Sequence, residues 1–235
     1  MDADALSDIV GRDRRSTDPA LRAPGAGRLY DYRRFCTNAW KVGNFLRHLG
    51  VRGGDGVAIA DDPSPETVLT LYGAALLGAV VRFAPSAGPD DDVRTLVVPE
   101  SALDAHDIGP STKPVVYDDV HEDPSVAYFE RDVWSENPTM PPDAVTSGDD
   151  LLWTADATHT HGELLDAART VVDRHGIDAG DDIAVAGSFA EPGTVAAGLV
   201  APILAGATIS IGPDAEGRLV VGGTEDDVGT GSLLR

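Results

Sequence analysis

The chain has 235 residues, 42% of them apolar, which is enough for one large or two small α/β domains with buried cores. Its 39 Asp and Glu residues against 18 Lys and Arg residues give a formal net charge of −21. This balance argues against nucleic acid or an anionic membrane as the main partner, because both bind clusters of Lys and Arg.

The acidic residues are spread along the whole chain among regularly spaced apolar residues, which favours an acidic folded surface over a disordered chain or an acidic tail. Only Lys41 and Lys113 are lysines. An acidic surface with so little lysine indicates a halophilic protein, because concentrated salt screens self-repulsion within a few ångströms. No apolar run approaches the ~18 residues of a spanning helix, and the first ten residues lack a signal peptide's basic start. We therefore expect a soluble, cytoplasmic protein.

The first predicted unit begins with a helix whose apolar residues recur at helical spacing and which ends at Gly50. A short apolar strand at Val57–Ala60 is of the fully buried kind. Ser64-Pro65 predicts the start of a second helix, since Ser supplies a side-chain acceptor and Pro has no N–H to leave unpaired. Gly78 ends that helix, and Val80–Phe83 is the next predicted strand.

Two more strands are predicted at Thr95–Val98 and Pro114–Tyr117. The segment Asp118–Asp150 predicts a long surface connection, because its Asn137-Pro138 and Pro141-Pro142 pairs exclude a continuous helix. The alternation of strands and helices implies parallel sheets with right-handed crossovers.

The second predicted unit starts at Thr160–Glu163, a capping box whose Thr and Glu side chains satisfy the first free amides of a helix. An apolar strand at Ile183–Ala186 follows, and then a helix around residues 196–201 that is rich in small residues and suited to close packing on a sheet. The last segment is a strand at Arg218–Val221 with a polar, glycine-rich tail.

Residues 45–85 and 171–213 carry the same pattern twice, and three matching blocks keep an offset of 126 to 128 residues. The fold class is therefore α/β, with two related, doubly wound, mainly parallel units packed side by side. The first unit, with the N-terminal segment and the Pro- and acid-rich connection, is assigned to residues 1–142, and the second to residues 143–213. Residues 214–235 are assigned to a C-terminal strand and a Gly- and acid-rich tail.

The order of these blocks resembles the N-terminal part of the adenylate-forming acyl-CoA synthetase (AMP-binding) superfamily. In the first half, Leu29–Tyr32, the Gly50–Asp55 turn and Leu77–Ala79 match the family's opening in order. In the second half, Thr160–Leu164 is similar to the family's T-H-x-N-L element, and Gly187–Gly193 is similar to its P-L-F-H-x-x-G loop. The resemblance covers roughly residues 5–212 and implies the N-terminal fold of that family.

The family's phosphate-binding loop, T-S-G-T-T-G-x-P-K-G, is missing. It belongs between the strand at Leu151–Thr154 and the capping box, where only Ala155–His159 is present. Such a loop holds a triphosphate with successive backbone N–H groups and a lysine, whereas Asp156 repels anions. The histidine of the next family loop is Ala190 here. The resemblance thus implies a truncated relative without the adenylation machinery.

The family continues with a third subdomain and a mobile C-terminal domain, which do not fit into the 22 residues after Pro213. Two different family motifs resemble parts of this tail. Gly222–Glu225 is similar to the end of Y-G-x-T-E but lacks its Tyr. Glu216–Gly222 with Asp226-Asp227 is similar to the D-G-x-L-x-V-x-G-R-x-D-D hinge, with Gly223 in place of its Arg. A plain β-turn followed by a solvated acidic tail is the interpretation that we favour.

Few single residues suggest chemistry. Cys36 excludes internal disulfides and cysteine-ligated zinc, and its place in a helical apolar pattern favours core packing over a nucleophile. Asp61-Asp62 follows a strand at the end where α/β sheets place ligands, but acidic loop residues need no such role in so acidic a chain. No G-x-S-x-G elbow is present.

Two histidines raise the question of a metal site. His159 and His161, with Asp156 and Glu163 nearby, would face one side of an extended segment and could bind a metal ion. A helix cap at Thr160 explains this segment better. We therefore assign no catalytic, cofactor-binding or metal-binding residue, and no cofactor.

We predict a degenerate acyl-CoA synthetase-like protein that is not catalytic alone and acts as a binding, regulatory or accessory subunit. The phosphate loop is lost, yet Val57–Ala60 and Ile183–Ala186 stay free of polar residues, unlike the strands of a decaying protein. The alternative is an adenylate-forming acid–CoA ligase fragment that needs a separate chain for ATP-dependent acyl activation. For that alternative the resemblance implies ATP, magnesium, a carboxylic acid and coenzyme A.

Expected partners follow from the same comparison. A lost subdomain would leave apolar surface exposed, so we expect a homo-oligomer or a complex with a full-length synthetase. An acyl or adenylate small molecule is the expected ligand. Nucleic acid and membrane partners are not expected.

Overall fold

A computed structural model describes residues 3–85, 87–88, 92–224 and 226–234. The strands in chain order are β1 (Pro19–Ala23), β2 (Arg28–Asp31), β3 (Gly56–Ile59), β4 (Val80–Phe83), β5 (Val93–Pro99), β6 (Lys113–Tyr117), β7 (Ala127–Tyr128), β8 (Asp150–Trp153), β9 (Thr158–Thr160), β10 (Asp182–Val185), β11 (Thr208–Ile211) and β12 (Leu219–Val221). They form a first sheet in the order β7-β6-β5-β3-β4-β8-β9 and a second sheet in the order β12-β10-β11-β1-β2. Both sheets are mostly parallel.

The helices in chain order are α1 (Tyr32–His48), α2 (Pro65–Ala75), α3 (Phe129–Trp134), α4 (His161–His175), α5 (Pro192–Thr194), a π-helical segment (Val195–Val200) and α6 (Ala201–Ala205). Their predicted caps are confirmed. The Ser64 side chain accepts the Thr67 amide at the start of α2, and Thr160 and Glu163 form the reciprocal capping box of α4. None of the helices in the described residues is long and apolar enough to cross a membrane.

The predicted repeat is present in three dimensions. In the first sheet, β3 leads through α2 to β4, and in the second sheet β10 leads through α5, the π segment and α6 to β11. Both pairs of strands run parallel. The predicted α/β class with two related, mainly parallel units is thus confirmed.

Each sheet is extended at one edge by a β-hairpin that lies outside the repeated segment. β1 lies parallel to β11, with Leu21 opposite Ile209, and β2 returns antiparallel to β1 at the edge. In the same way β8 lies beside β4, and β9 returns antiparallel to it. The N-terminal hairpin therefore completes the second sheet, and residues 150–160 complete the first. The boundary after residue 142 stays a prediction.

The small-residue helix packs on β10 through an unusual turn. The Ala201 amide bonds to the Ala196 carbonyl, five residues back, just before Pro202, which has no N–H to continue an α-helical ladder. Gly198 allows the close approach, since a Cβ there would lie 2.9 Å from a methyl group of Val185. The predicted reason for the small residues is therefore correct.

One contiguous apolar core joins the two units. Two buried tyrosines reach across it: the Tyr72 hydroxyl donates to the Leu199 carbonyl at 2.7 Å, and the Tyr32 hydroxyl donates to the Ala207 carbonyl at 2.7 Å. A smaller apolar cluster covers the other face of the first sheet around β5 and β6. The two units therefore share their main core.

The segment expected to be a long surface connection holds more structure than its sequence indicated. Ala127–Tyr128 forms β7 beside β6, and α3 follows directly. Phe129 and Val133 are one helical turn apart and are both buried, and α3 packs on α1. The loop prediction was wrong here because such short elements depend on tertiary packing and carry little periodicity of their own.

Candidate functional site

The carboxyl ends of strands from both sheets meet at one place, which we call the shared edge (residues 61–62, 83 and 188–189). The Asp61 carboxylate accepts a hydrogen bond from the Ser188 hydroxyl at 2.5 Å and one from the Phe189 amide at 2.7 Å. The rings of Phe83 and Phe189 meet edge to face with their centroids 5.6 Å apart. In α/β proteins this edge of a parallel sheet is where ligands bind.

Both aspartates singled out by sequence are engaged at this edge. Asp61 ties the two units together, and Asp62 accepts a 2.8 Å hydrogen bond from the Tyr117 hydroxyl. Burial, and then the charge of Asp62, raises the pKa of Tyr117 well above its usual range, so this phenol stays protonated. The two carboxylates therefore act as structural acceptors, and Phe83 packs against Phe189 between the two sheets.

The expected position of the phosphate loop is a tight hairpin turn between β8 and β9. The Thr154 amide and hydroxyl both donate to the Ala157 carbonyl, at 2.8 and 2.9 Å, and the Ala157 amide donates to the Thr154 hydroxyl at 3.1 Å. Only the amides of Ala155 and Asp156 lie outside these bonds. A turn of four residues presents two amides at most, beside the exposed Asp156 carboxylate, so these residues do not fit a triphosphate.

The tail after β12 is ordered around Asp226. One carboxylate oxygen of Asp226 accepts the amides of Gly222 and Val228, each at 3.1 Å, and the other accepts the Thr230 amide at 2.8 Å and the Thr230 hydroxyl at 2.9 Å. Burial opposes ionisation of Asp226, but these donors outweigh it and hold its pKa below the usual value. The expected solvated tail is thus a docked loop over the described part of residues 222–234, with Val228 buried. Glu225, the last residue of the Y-G-x-T-E match, lies outside the described residues.

Glycines let this loop approach the second sheet. A Cβ on Gly222 would lie 2.5 Å from the Gly187 Cα, and a Cβ on Gly193 would lie 2.1 Å from the Thr230 carbonyl oxygen. The loop therefore closes over the end of β10 and the start of α5. Nothing in the sequence pattern singled out Asp226 as the centre of this loop, although surrounding Gly, Thr and Asp residues are typical of such turns.

The two histidines do not form the metal site considered above. The His161 Nδ1 accepts the Leu6 amide at 3.2 Å, and burial lowers the pKa of His161 to about 4. His159 lies in β9, 4.0 Å from the Glu163 carboxylate. Among the residues that the structure describes, no group of three His, Cys, Asp or Glu side chains is arranged to hold a metal ion. Cys36 is a core residue whose thiol pKa burial raises to about 12, as expected for an unreactive cysteine.

The sequence resemblance is confirmed by comparison with known proteins. Residues 11–98 match the family model described as AMP-binding enzyme. No curated protein sequence matches the chain at a significant level.

Solved structures of ligases share the fold. The anthranilate CoA ligase AuaEII in complex with anthranoyl-AMP superposes with a TM-score of 0.74 at 20% identity, covering 90% of this chain and 45% of the ligase. The N-terminal domain of FACL13 from Mycobacterium tuberculosis gives 0.70 at 17% identity, covering 88% and 56%. A benzoate CoA ligase from Burkholderia xenovorans LB400 gives 0.71 at 18% identity, covering 87% and 44%. This chain thus spans about half the length of these structures and has the fold of their N-terminal part.

Proposed function

From the match of residues 11–98 to the AMP-binding enzyme family model and from the fold shared with the N-terminal part of ligases, we propose that this chain is a binding or accessory protein that does not activate acids by itself. The observation that carries the proposal is the closed turn at Thr154–Ala157. A phosphate-binding loop works by pointing several unbonded amides and a cation at one anion. Here the turn uses the Thr154 and Ala157 amides internally, leaves two amides at most, and adds the carboxylate of Asp156.

Loss of the phosphate-binding loop has not been accompanied by loss of the fold. The aspartate at the shared edge joins the units, the tail is docked by four hydrogen bonds to Asp226, and the core is continuous. A chain kept only as a remnant has no reason to keep these contacts. Their retention supports a role that needs the folded surface rather than the adenylation chemistry.

The test is calorimetric titration with ATP and magnesium in multimolar KCl. We expect no binding at micromolar concentrations. Asp156→Lys removes the repelling charge and leaves the turn, so its continued failure to bind ATP would assign the loss to backbone geometry rather than to charge. A micromolar Kd for the unaltered chain would overturn the proposal and favour the alternative of a ligase fragment completed by another chain.

A second titration uses a non-hydrolysable acyl-adenylate analogue. Binding of this analogue without ATP binding would mean that a pocket for the acyl or adenylate group persists at the shared edge. In that case Asp61→Asn, which loosens the link between Asp61 and the loop at Ser188, should weaken the analogue's affinity. If neither ATP nor the analogue binds, the remaining role is contact with another protein. Sedimentation of the chain with and without a full-length synthetase would measure such contact.

A further inference from the structure

A groove on the surface away from the shared edge collects positive charge in a chain that is otherwise strongly negative. It runs between α1, α3 and the edge strand β2, and its volume is about 780 Å³. Five of the chain's 18 basic residues line it but only two of its 39 acidic residues, Glu66 and Glu130. We call it the basic groove; its cations are Arg15, Arg28, Arg33, Arg34 and Lys41.

Among the described residues, Arg28 is the one groove cation with a carboxylate ion pair, and the Arg15 guanidinium lies over the Trp40 ring. Arg28 pairs with the buried Glu66, and Lys41 donates to the Trp134 carbonyl at 2.7 Å. Arg33 and Arg34 stand side by side in the first turn of α1, exposed, with no ion pair to any carboxylate that the structure describes. In a chain with about twice as many acids as bases, adjacent unpaired arginines are a site where an anion gains two guanidinium contacts.

Apolar side chains also line the groove. Leu69, Phe129 and Val133 are buried at its base, while Leu29 and Trp134 remain 54% and 65% exposed at its rim. An exposed Trp and an exposed Leu that line one groove mark a binding surface rather than a core. Any ligand that fills this groove therefore meets both cations and apolar side chains, and Lys41 Nζ itself lies 5.4 Å from the centroid of the Trp134 ring.

We propose that the basic groove binds an anionic amphiphile, a molecule with a carboxylate or phosphate group and an apolar body. The anionic group pairs with Arg33 and Arg34, and the apolar body covers Leu29 and Trp134. The face of α1 from Arg33 to Lys41 is about 12 Å long at 1.5 Å per residue, which suits a small organic molecule. This site goes beyond the proposed function, because it shares no residue with the shared edge or with the turn at Thr154–Ala157.

Apolar contact also distinguishes this ligand from a free anion. At 1 M salt the screening length falls to about 3 Å, so attraction at a distance is lost and only direct contacts remain. Burial of apolar surface does not weaken in the same way. We therefore expect an amphiphile to remain bound at a salt concentration at which inorganic phosphate does not bind.

The experiment is titration of the folded chain with octyl phosphate and, separately, octanoate, below the concentrations at which they form micelles. Binding is measured by calorimetry and by acrylamide quenching of tryptophan fluorescence, since Trp134 is more exposed than Trp40 or Trp153. Either compound is expected to saturate and to shield tryptophan from acrylamide, and the stronger binder identifies the anionic group. Trp134→Phe should abolish the shielding.

Paired charge reversals locate the site. Arg33→Glu with Arg34→Glu should weaken binding at least tenfold, whereas Arg12→Glu with Arg94→Glu, the same charge change on exposed residues outside the groove, should leave it within twofold. Circular dichroism of each variant confirms the fold. Equal binding of neutral octyl glucoside, an unchanged affinity of the Arg33 and Arg34 variant, or binding only to anionic vesicles would overturn the proposal. ATP titration is unaffected by this groove, so failure here is separate from failure of the proposed function.

Discussion

Tyr72→Phe tests whether the two α/β units share one cooperative core. The Tyr72 side chain is fully buried, and its hydroxyl donates to the Leu199 carbonyl in the π segment at 2.7 Å. The substitution keeps the ring, and with it the edge-to-face contact with Phe35 at 5.1 Å. Only the hydrogen bond between the units is lost.

The cost follows from the buried carbonyl that remains. A neutral hydrogen bond contributes about 1 kcal/mol, and an acceptor left in an apolar core adds a desolvation penalty, so we expect a loss of about 1–2 kcal/mol in the free energy of unfolding. For a chain of this length that loss lowers Tm by roughly 2–8 °C. Thermal and urea unfolding followed by circular dichroism, at one fixed KCl concentration, would measure it.

Tyr128→Phe is the matched control, because Tyr128 is only half-buried on the edge strand β7. We expect this variant to lie within about 0.5 kcal/mol of the unaltered chain. The unaltered chain and both variants should unfold in a single transition, since the main core is continuous. A Tyr72→Phe variant as stable as the control, or one that splits unfolding into two transitions, would refute the idea of a shared core.

Four further outcomes are expected. Val57→Asp places a charge in a fully buried strand and should leave the chain unfolded and insoluble, whereas Val120→Asp, at a 54% exposed position, should fold normally on circular dichroism. Burial lowers the pKa of His161 to about 4, so as pH falls from about 6.5 to 4 the unfolded chain binds a proton at this residue and the folded chain does not. The free energy of unfolding should therefore drop by up to about 3 kcal/mol over that window in urea titrations. The His161→Gln variant should lack this part of the pH dependence. Gly193→Ala forces a methyl group onto the Thr230 carbonyl, so limited proteolysis should cut the tail faster while the rest of the chain stays resistant. Raising KCl from 0.1 M to 3 M should raise Tm, because the net charge of −21 repels itself in dilute buffer; an unchanged Tm would contradict this.

Much of the fold could be predicted because the signals were local. The caps at Ser64 and Thr160 and the buried apolar strands depend on short-range chemistry, and each lies where the sequence placed it. The repeated glycine turns showed which residues of the first unit correspond to which residues of the second. The addition of a hairpin from outside the repeat to each sheet could not be predicted. The pairing of β1 with β11, for example, joins residues 188 positions apart and gives no signal in the sequence of either segment.

The candidate sites were harder to predict for the same reason. The missing phosphate loop was visible as an absence of glycines and lysine, but the hydrogen bonds that close its replacement depend on the hairpin. Asp61 was noted for its position after a strand, yet its partner, Ser188, is contributed by the other unit. The basic groove had no signal in the sequence, because Arg33 and Arg34 of α1 and Trp134 of α3 come to line one groove only through the packing of α3 on α1.

The position of the N-terminal hairpin has a consequence for synthesis on the ribosome. Leu21 leaves the ribosome long before Ile209, its partner across the strands, and at 5–20 residues per second the delay is roughly 10–40 s. During that time the β1–β2 hairpin has no neighbouring strand to pair with, and its free edge is a target for pairing with other nascent chains. The second sheet is therefore completed last, and any cotranslational folding must begin with the first sheet around β3, β4 and β5.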